Sequence, residues 1–430
     1  MKINLVTLFP EFFSSPLDCG LMQRAVAANL VEFAFHNPRV YTDDRRQSVD
    51  DRPYGGGPGM VMLADPLARA LRAIAESSSG KIPRAFLLSP RGRPFDQSLA
   101  RELAGEKEIT LLCGRYEGID ERLRALFPLE EISVGDFVLN GGEAAALAVT
   151  EAVCRLLPGF MGHGESALEE SFSAGILEYP HYTRPEEYAG LRAPEELLSG
   201  DHACIARWRR REALLSTLER RPELLEKSLL GREDMDWARS SPRKLLGPGL
   251  YLALLHYPVL DREGRVSSTS LTNLDAHDLA RAARAYGLGG LFIVTPMEDQ
   301  RTILDELLAH WLSGPGGQSN PDRREALARV IPAADLDEAV SLVEERHGQS
   351  PKIWGSGARA EMTITFDGAR KILYRHPAIL LLGTGHGLAP EILARCDAIL
   401  PPLRWVAPYN HLSVRCAGTV LLDRLLGEWG

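Results

Sequence analysis

Short apolar runs bounded by turn residues recur along the chain. Ala85-Phe86-Leu87-Leu88 ends at Ser89-Pro90, and Ile109-Thr110-Leu111-Leu112-Cys113 ends at Gly114. Leu291-Phe292-Ile293-Val294 ends at Thr295-Pro296, and Ile379-Leu380-Leu381-Leu382 ends at Gly383. Each run is apolar on both faces, the pattern of a strand in a sheet covered on both sides. Helical spacing lies between them, as over residues 66–76 and 143–157. The alternation predicts an α/β fold with parallel strands. The opening residues, Met1 through Phe9, read as a further short strand.

Two similar stretches stand out. Phe95-Asp96, a strand ending in Gly114 and a helix opened by Asn140 match Phe366-Asp367, a strand ending in Gly383 and a helix opened by Asn410. The match predicts two domains of one fold rather than one domain with a cap. Residues 228–249, with Gly231, Ser240-Ser241-Pro242 and Gly247-Pro248-Gly249, read as the boundary. An all-helical, Arg-rich region (195–230) precedes it, and a fresh strand at 250–255 follows. Residues 313–321, rich in Gly and Pro, read as an internal surface loop.

Composition refines this picture. The 430 residues are 45% hydrophobic and 25% charged, which excludes disorder as the main state. No apolar run is long enough to span a bilayer, and the N-terminus lacks the parts of a signal peptide. The expected location is the cytoplasm. Six scattered cysteines form no C-x-x-C pair and no zinc-type cluster, so they read as reduced thiols and no metal is expected. The net charge of −9 argues against a nucleic-acid partner on average. Residues 1–246 carry −6 and residues 247–430 carry −3, so neither half is basic.

Locally the chemistry differs. Three glycine-containing loops fall at strand ends: Ser89-Pro90-Arg91-Gly92, the segment from Cys113 to Asp120, and the segment from Val134 to Glu143. Ligands of open α/β sheets bind beyond the carboxyl ends of strands. Glycines there let a ligand approach the backbone, and Leu87, Val134 and Leu139 supply apolar walls. Tight turns alone would explain each loop singly; three in one unit favour a pocket. No G-x-G-x-x-G or Walker pattern points to NAD or ATP. Arg52-Pro53-Tyr54-Gly55-Gly56-Gly57-Pro58-Gly59 reads equally as an exposed loop or as a loop pressed on a ligand, with Arg52 and Tyr54 suited to phosphate or a base. Arg207-Trp208-Arg209-Arg210-Arg211, on a predicted helix, is the basic patch hidden by the net charge; it suits an RNA backbone or a solvated helix face. Residues 161–175 read as a lid or a plain linker.

Together these segments resemble the bacterial tRNA (guanine-N1)-methyltransferases, the TrmD family of the SPOUT superfamily. The resemblance covers roughly residues 1–230. It rests on Leu8-Phe9-Pro10, the segment from Val49 to Met60, Cys113 to Glu121, Ser133 to Glu143, Tyr179 to Pro185, and Leu198-Ser199-Gly200-Asp201-His202. It implies a trefoil-knotted domain (1–160) that binds S-adenosylmethionine, a lid (161–175) and a helical tRNA-binding domain (176–240). It implies a homodimer with active sites built across the interface, methylating N1 of the guanosine at position 37, next to the anticodon. The cofactor positions are then Leu87, Ser89, Pro90, Gly114, Tyr116, Glu117, Val134, Gly135, Phe137, Leu139, Gly141 and Gly142. The tRNA positions are Arg52, Tyr54, Gly59, His181, Asp201, Arg207 and Arg209. Guanine N1 must lose a proton to become nucleophilic, and charge builds on O6. The family's base and its Arg match Glu170 and Arg155. The family's base is an Asp, so Glu170 is one methylene longer, with Glu169 beside it.

After a linker (241–249), residues 250–430 resemble a second SPOUT-like RNA methyltransferase domain of unknown target. The resemblance rests on Leu381-Leu382-Gly383-Thr384-Gly385-His386-Gly387-Leu388 and Asn410-His411-Leu412-Ser413-Val414-Arg415. Gly383, Gly385, Gly387, Leu400 and Leu412 are the expected second cofactor positions, with His386 and His411 as polar candidates. The rival readings are a tRNA-binding protein with an inactive core, and an enzyme active only through its C-terminal domain.

Overall fold

A computed structural model describes the chain except residues 79, 162–169, 229, 242–244, 359–360, 404–410 and 428–430. Most of the expected lid, Glu169, part of the expected linker and Asn410 therefore lie outside the described residues. Two compact units are present, Met1–Leu230 and Gly231–Gly430. The helix Arg232–Ser240 falls in the second, whereas the sequence grouped residues up to 240 with the helical region before them.

The first unit is built on five strands: β1 (Lys2–Val6), β2 (Glu32–His36), β3 (Arg84–Pro94), β4 (Glu108–Cys113) and β5 (Leu129–Ser133). They form a parallel sheet in the order β2-β1-β4-β3-β5. Side chains alternate between two buried faces, as a parallel sheet requires. Ile3, Leu5, Phe86, Leu88, Ile109 and Leu111 pack on one face. There they meet helices α2 (Gln97–Ala104) and α3 (Glu143–Cys154). Val6, Ala85, Leu87 and Leu112 pack on the other, beneath helix α1 (Ala64–Ser77).

Ser89-Pro90-Arg91-Gly92 is not a free loop. It continues β3 in extended form, and the pairing with β5 shifts register between Leu88 and Arg93. A Cβ on Gly92 would lie 2.3 Å from the backbone nitrogen of Ile132. The glycine is required by a close backbone crossing, which its turn-like composition did not reveal.

The second unit repeats the plan. Strands β6 (Leu250–Leu255), β7 (Gly290–Val294), β8 (Val330–Ala333), β9 (Lys352–Gly355), β10 (Ala378–Gly383) and β11 (Ala398–Ile399) form a parallel sheet in the order β8-β7-β6-β10-β9-β11. Removing edge strand β8 leaves the order of the first sheet. Both units also lay an antiparallel hairpin on the loop after the corresponding strand, β4 in the first and β10 in the second. In the first, Met62 and Gly118 share a backbone bond of 2.9 Å; in the second, Leu260 and Gly387 do the same at 2.9 Å.

The repeat differs in detail. Asp96 caps α2 by accepting from Leu99 N–H at 2.9 Å. Thr365 does that work in the second unit, so Phe366 and Asp367 lie inside their helix. The expected loop at 313–321 contains a short helix, Pro315–Ser319, with Gly316 and Gly317 buried. A Cβ on Gly317 would lie 2.2 Å from the carbonyl oxygen of Trp311, so its glycine serves packing rather than mobility. No helix among the described residues is long and apolar enough to cross a membrane.

Candidate active site

In the first unit the sheet's carboxyl end carries two loops that meet. Gly142 N–H donates to the carbonyl of Gly114 at 2.9 Å, and Arg115 bridges Gly141. A Cβ on Gly142 would sit 2.7 Å from Cys113 Cα, and one on Gly141 2.3 Å from Arg115 Nε. At Gly142 no other residue fits without moving backbone, whereas a side chain at Gly141 would have to displace the Arg115 side chain. Leu87 Cδ1 and the backbone oxygen of Leu88 lie 3.8 and 4.0 Å from where a Cβ on Gly114 would sit. The hairpin holding Arg52, Tyr54 and Gly59 closes on the loop through Glu117 N–H to Met60 O (2.9 Å) and Asp120 N–H to Met62 O (3.0 Å). Tyr116 holds a left-handed backbone (φ 60°), a strained conformation that recurs at functional sites.

A buried ion pair locks this junction. Glu143, 1% exposed at the start of α3, lies 2.9 Å from Arg115 Nε and accepts from Thr7 Oγ1 at 2.8 Å. Arg115 also stacks over Phe9, 4.5 Å from the ring centre. Neither Arg115 nor Glu143 was singled out from sequence as a site residue. A Glu directly after Gly-Gly at a helix start was the available signal. Burial, with Glu143 adding to it, pushes the Cys113 thiol well above its ordinary range.

Around this frame Tyr116, Phe137 and Leu139 expose 49%, 55% and 41% of their surfaces, and Pro90 is exposed. Glu117 is also exposed; Ser89 is half-buried and its Oγ accepts from Arg91 N–H. Val134 packs against the core, and Gly135 takes a φ of 154° with its loop pinned by Ser133 Oγ. Expected cofactor residues thus converge on one end of the sheet.

The expected catalytic pair is elsewhere. Arg155 follows the last residue of α3. Its Nε donates to Glu170 Oε2 at 3.0 Å, and Nη2 engages Oε1. That hydrogen bond holds the Arg155 guanidinium above its ordinary pKa. Downstream, Leu177 N–H donates to Thr217 Oγ1 (3.0 Å), tying the segment to helix α4 (His202–Arg220). Arg209 on α4 lies over the Tyr179 ring at 4.9 Å, and the Tyr179 and His181 rings pack at a tilt of 49° with centres 4.8 Å apart. Tyr182 meets Trp208 edge-on. Arg207 lies on the same helix and is exposed. Asp201 caps α4, accepting from Ala203 and Cys204 N–H at 2.9 and 3.2 Å, which gives it a structural task.

In the second unit, Gly383, Gly385 and Gly387 form a tight loop: a Cβ on Gly383 would meet Leu388 N at 2.5 Å, and one on Gly385 would meet Leu260 O at 2.8 Å. Leu400 lies fully in the core, whereas Leu412 is 44% exposed. His386 is exposed, with its backbone N–H on Leu260 O.

Comparison with known proteins agrees with this division. Residues 1–227 match the family model described as tRNA (Guanine-1)-methyltransferase TrmD, and residues 249–427 match the model of a SAM-dependent RNA methyltransferase. The chain is 55% identical, over the whole of both proteins, to a tRNA (guanine-N(1)-)-methyltransferase of Nitratidesulfovibrio vulgaris. It is 54% identical over the same span to that of Oleidesulfovibrio alaskensis. The Pelotomaculum thermopropionicum enzyme of the same name matches at 50% over 236 residues, which is 94% of its length but 55% of this chain. Some relatives therefore lack a second unit. The chain belongs to the tRNA (guanine-N1)-methyltransferase family, with S-adenosylmethionine as the methyl donor of both of its units.

Proposed function

We propose that the first unit methylates N1 of the guanosine at position 37 of tRNA, next to the anticodon, in sites shared between two copies of the chain. One observation carries the second half of this reading. The cofactor loops meet at Gly142, before the start of α3, and the Arg155–Glu170 pair lies beyond its other end. The thirteen residue steps from Gly142 to Arg155 along this helix, at about 1.5 Å each, separate them by about 20 Å. Methyl transfer needs contact at about 3 Å. One copy cannot bring its own pair to its own cofactor, so the pair serves the loops of a second copy. Exposed Phe9, Phe12, Phe35, Phe137 and Val138 supply apolar surface for such a partner. The close contact of the Gly114 and Gly142 backbones supports a knotted cofactor site.

In this arrangement Glu170 takes the N1 proton as the methyl group leaves sulfur. Arg155 stabilises charge on O6 and orients the carboxylate before substrate arrives. The extra methylene of Glu170, relative to Asp, is accommodated by its two-point grip on Arg155. Arg209, Tyr179 and His181 form a packed surface for the tRNA, working where that substrate resides, in the cytoplasm.

Mixing two inactive variants tests the shared site. Glu170→Gln keeps its loops, and Gly142→Val keeps its Glu170. Random exchange is expected to restore about a quarter of wild-type activity, since half the dimers gain one intact site. No recovery, with exchange verified, would show that each copy works alone.

A further inference from the structure

The second unit keeps a buried polar cluster where its sheet ends. His256 follows strand β6, and its backbone N–H donates to Val294 O at 3.0 Å. The residue is 1% exposed. Its Nδ1 lies 3.0 Å from Thr269 Oγ1, which is hydrogen-bonded to Thr384 Oγ1. Thr384 Oγ1 lies 2.9 Å from the carbonyl oxygen of Leu255.

The last acceptor fixes the direction of this chain. A carbonyl only accepts, so Thr384 places its single hydroxyl proton there. Thr269 must then donate to Thr384, and can only accept from His256. Nδ1 therefore carries the proton of the neutral ring, and Nε2 is a bare lone pair. Nε2 is buried without a hydrogen-bond partner among the described residues. An unpaired buried acceptor is destabilising and calls for an explanation. Its position supplies one: ligands of parallel sheets bind at this end, and Thr384 sits within the Gly383–Gly387 loop.

We propose that His256 is the proton acceptor of the second unit, with Nε2 taking the proton from an N–H or O–H group of an RNA nucleotide as that group is methylated. The proposal rests on the reading that this unit transfers methyl groups from S-adenosylmethionine to RNA. The bond between the sulfonium sulfur and the methyl carbon breaks, and its electron pair stays on sulfur. The nucleotide nitrogen or oxygen bonds to that carbon, and its proton passes to Nε2. The products are the methylated nucleotide, S-adenosylhomocysteine and an imidazolium.

The surroundings suit that cycle. Burial holds the imidazole below its ordinary pKa, while Asp275 and a backbone hydrogen bond with Thr269 act in the opposite sense. The ring is thus neutral at pH 7, and Asp275 stabilises the imidazolium once formed. Asp275, the charged group that acts on the ring among the described residues, is itself paired with Arg415 at 2.9 Å. Because Nε2 is buried, the hairpin that carries Leu260, bonded to Gly387 O, must open to admit the nucleotide.

The test uses the full chain, S-adenosylmethionine and total RNA from a strain lacking the gene, with mass spectrometry of the digested nucleosides. N1-methylguanosine reports the first unit, and a second methylated nucleoside reports the second. His256→Asn keeps an N–H for Thr269 and removes the Nε2 lone pair. It is expected to slow the second product about 100-fold or more while N1-methylguanosine is unchanged. Retention of both bound S-adenosylmethionine equivalents shows that the variant unit is folded. The wild-type rate of the second product is expected to fall as pH drops through the imidazole pKa, and the residual variant rate to lose that dependence. A second product at wild-type rate in His256→Asn overturns the role of His256 and leaves the activity standing. No second product from the wild type overturns the reading of the unit, and the proposal with it.

Discussion

Replacing Glu143 by Gln removes one charge from the junction that holds the first unit's cofactor loops. The amide still accepts from Thr7 Oγ1, so the change isolates the ion pair with Arg115. Disrupting one partner of a buried pair costs about 3–5 kcal/mol. Arg115 keeps 22% of its side chain exposed, so water recovers part of the loss and the low end, about 3 kcal/mol, is expected. Arg115 also contacts Phe9 and Asn140 O, and these contacts loosen with it. Hydrogen exchange followed by peptide mass spectrometry reads this locally, without assuming that the two units unfold together. Amides of residues 113–119 and 140–146 are expected to exchange about a hundredfold faster, with S-adenosylmethionine binding weakened in the first unit alone. Asp120→Asn, which breaks the exposed pair with Arg122, serves as the control and should change protection little. Exchange within about threefold of wild type in Glu143→Gln would refute the claim that this pair locks the site.

Other predictions follow from the same geometry. Burial raises the thiol pKa of Cys113, and that of Cys154 to about 12, so both stay protonated at pH 8; alkylation of the native chain should label Cys19 and Cys416 and spare these two. Arg209→Ala should raise KM for tRNA with little change in kcat, and lower the salt dependence of binding by about one counterion. Gly142→Ala drives a Cβ against the Cys113 backbone and should destabilise the first unit by about 1–3 kcal/mol, seen as a lower Tm for that unit.

The sheets were legible because parallel strands buried on both faces leave apolar runs that end at glycine. The duplication was legible for a related reason: the glycine loops at both sheet ends hold positions, Gly142 and Gly383, where a side chain would run into backbone. Gly92 and Gly317 misled because composition cannot distinguish a glycine that turns from one that packs. Arg115 and Glu143 went unmarked because a buried ion pair across 28 residues leaves no local periodicity. His256 was hidden for the same reason, since its partners Thr269 and Thr384 are set beside it only by the folded sheet. Resemblance supplied the pairing of Arg155 with Glu170, and the backbone then separated that pair from its own cofactor loops by the length of α3.

Single-turnover methyl transfer to a tRNA transcript, wild type against Glu170→Gln, tests the central claim most directly. The account predicts N1-methylguanosine at position 37 from the wild type. In the variant it predicts a rate lower by about 10²–10⁴, with S-adenosylmethionine and tRNA affinities nearly unchanged. A variant that transfers methyl groups at close to the wild-type rate would contradict it.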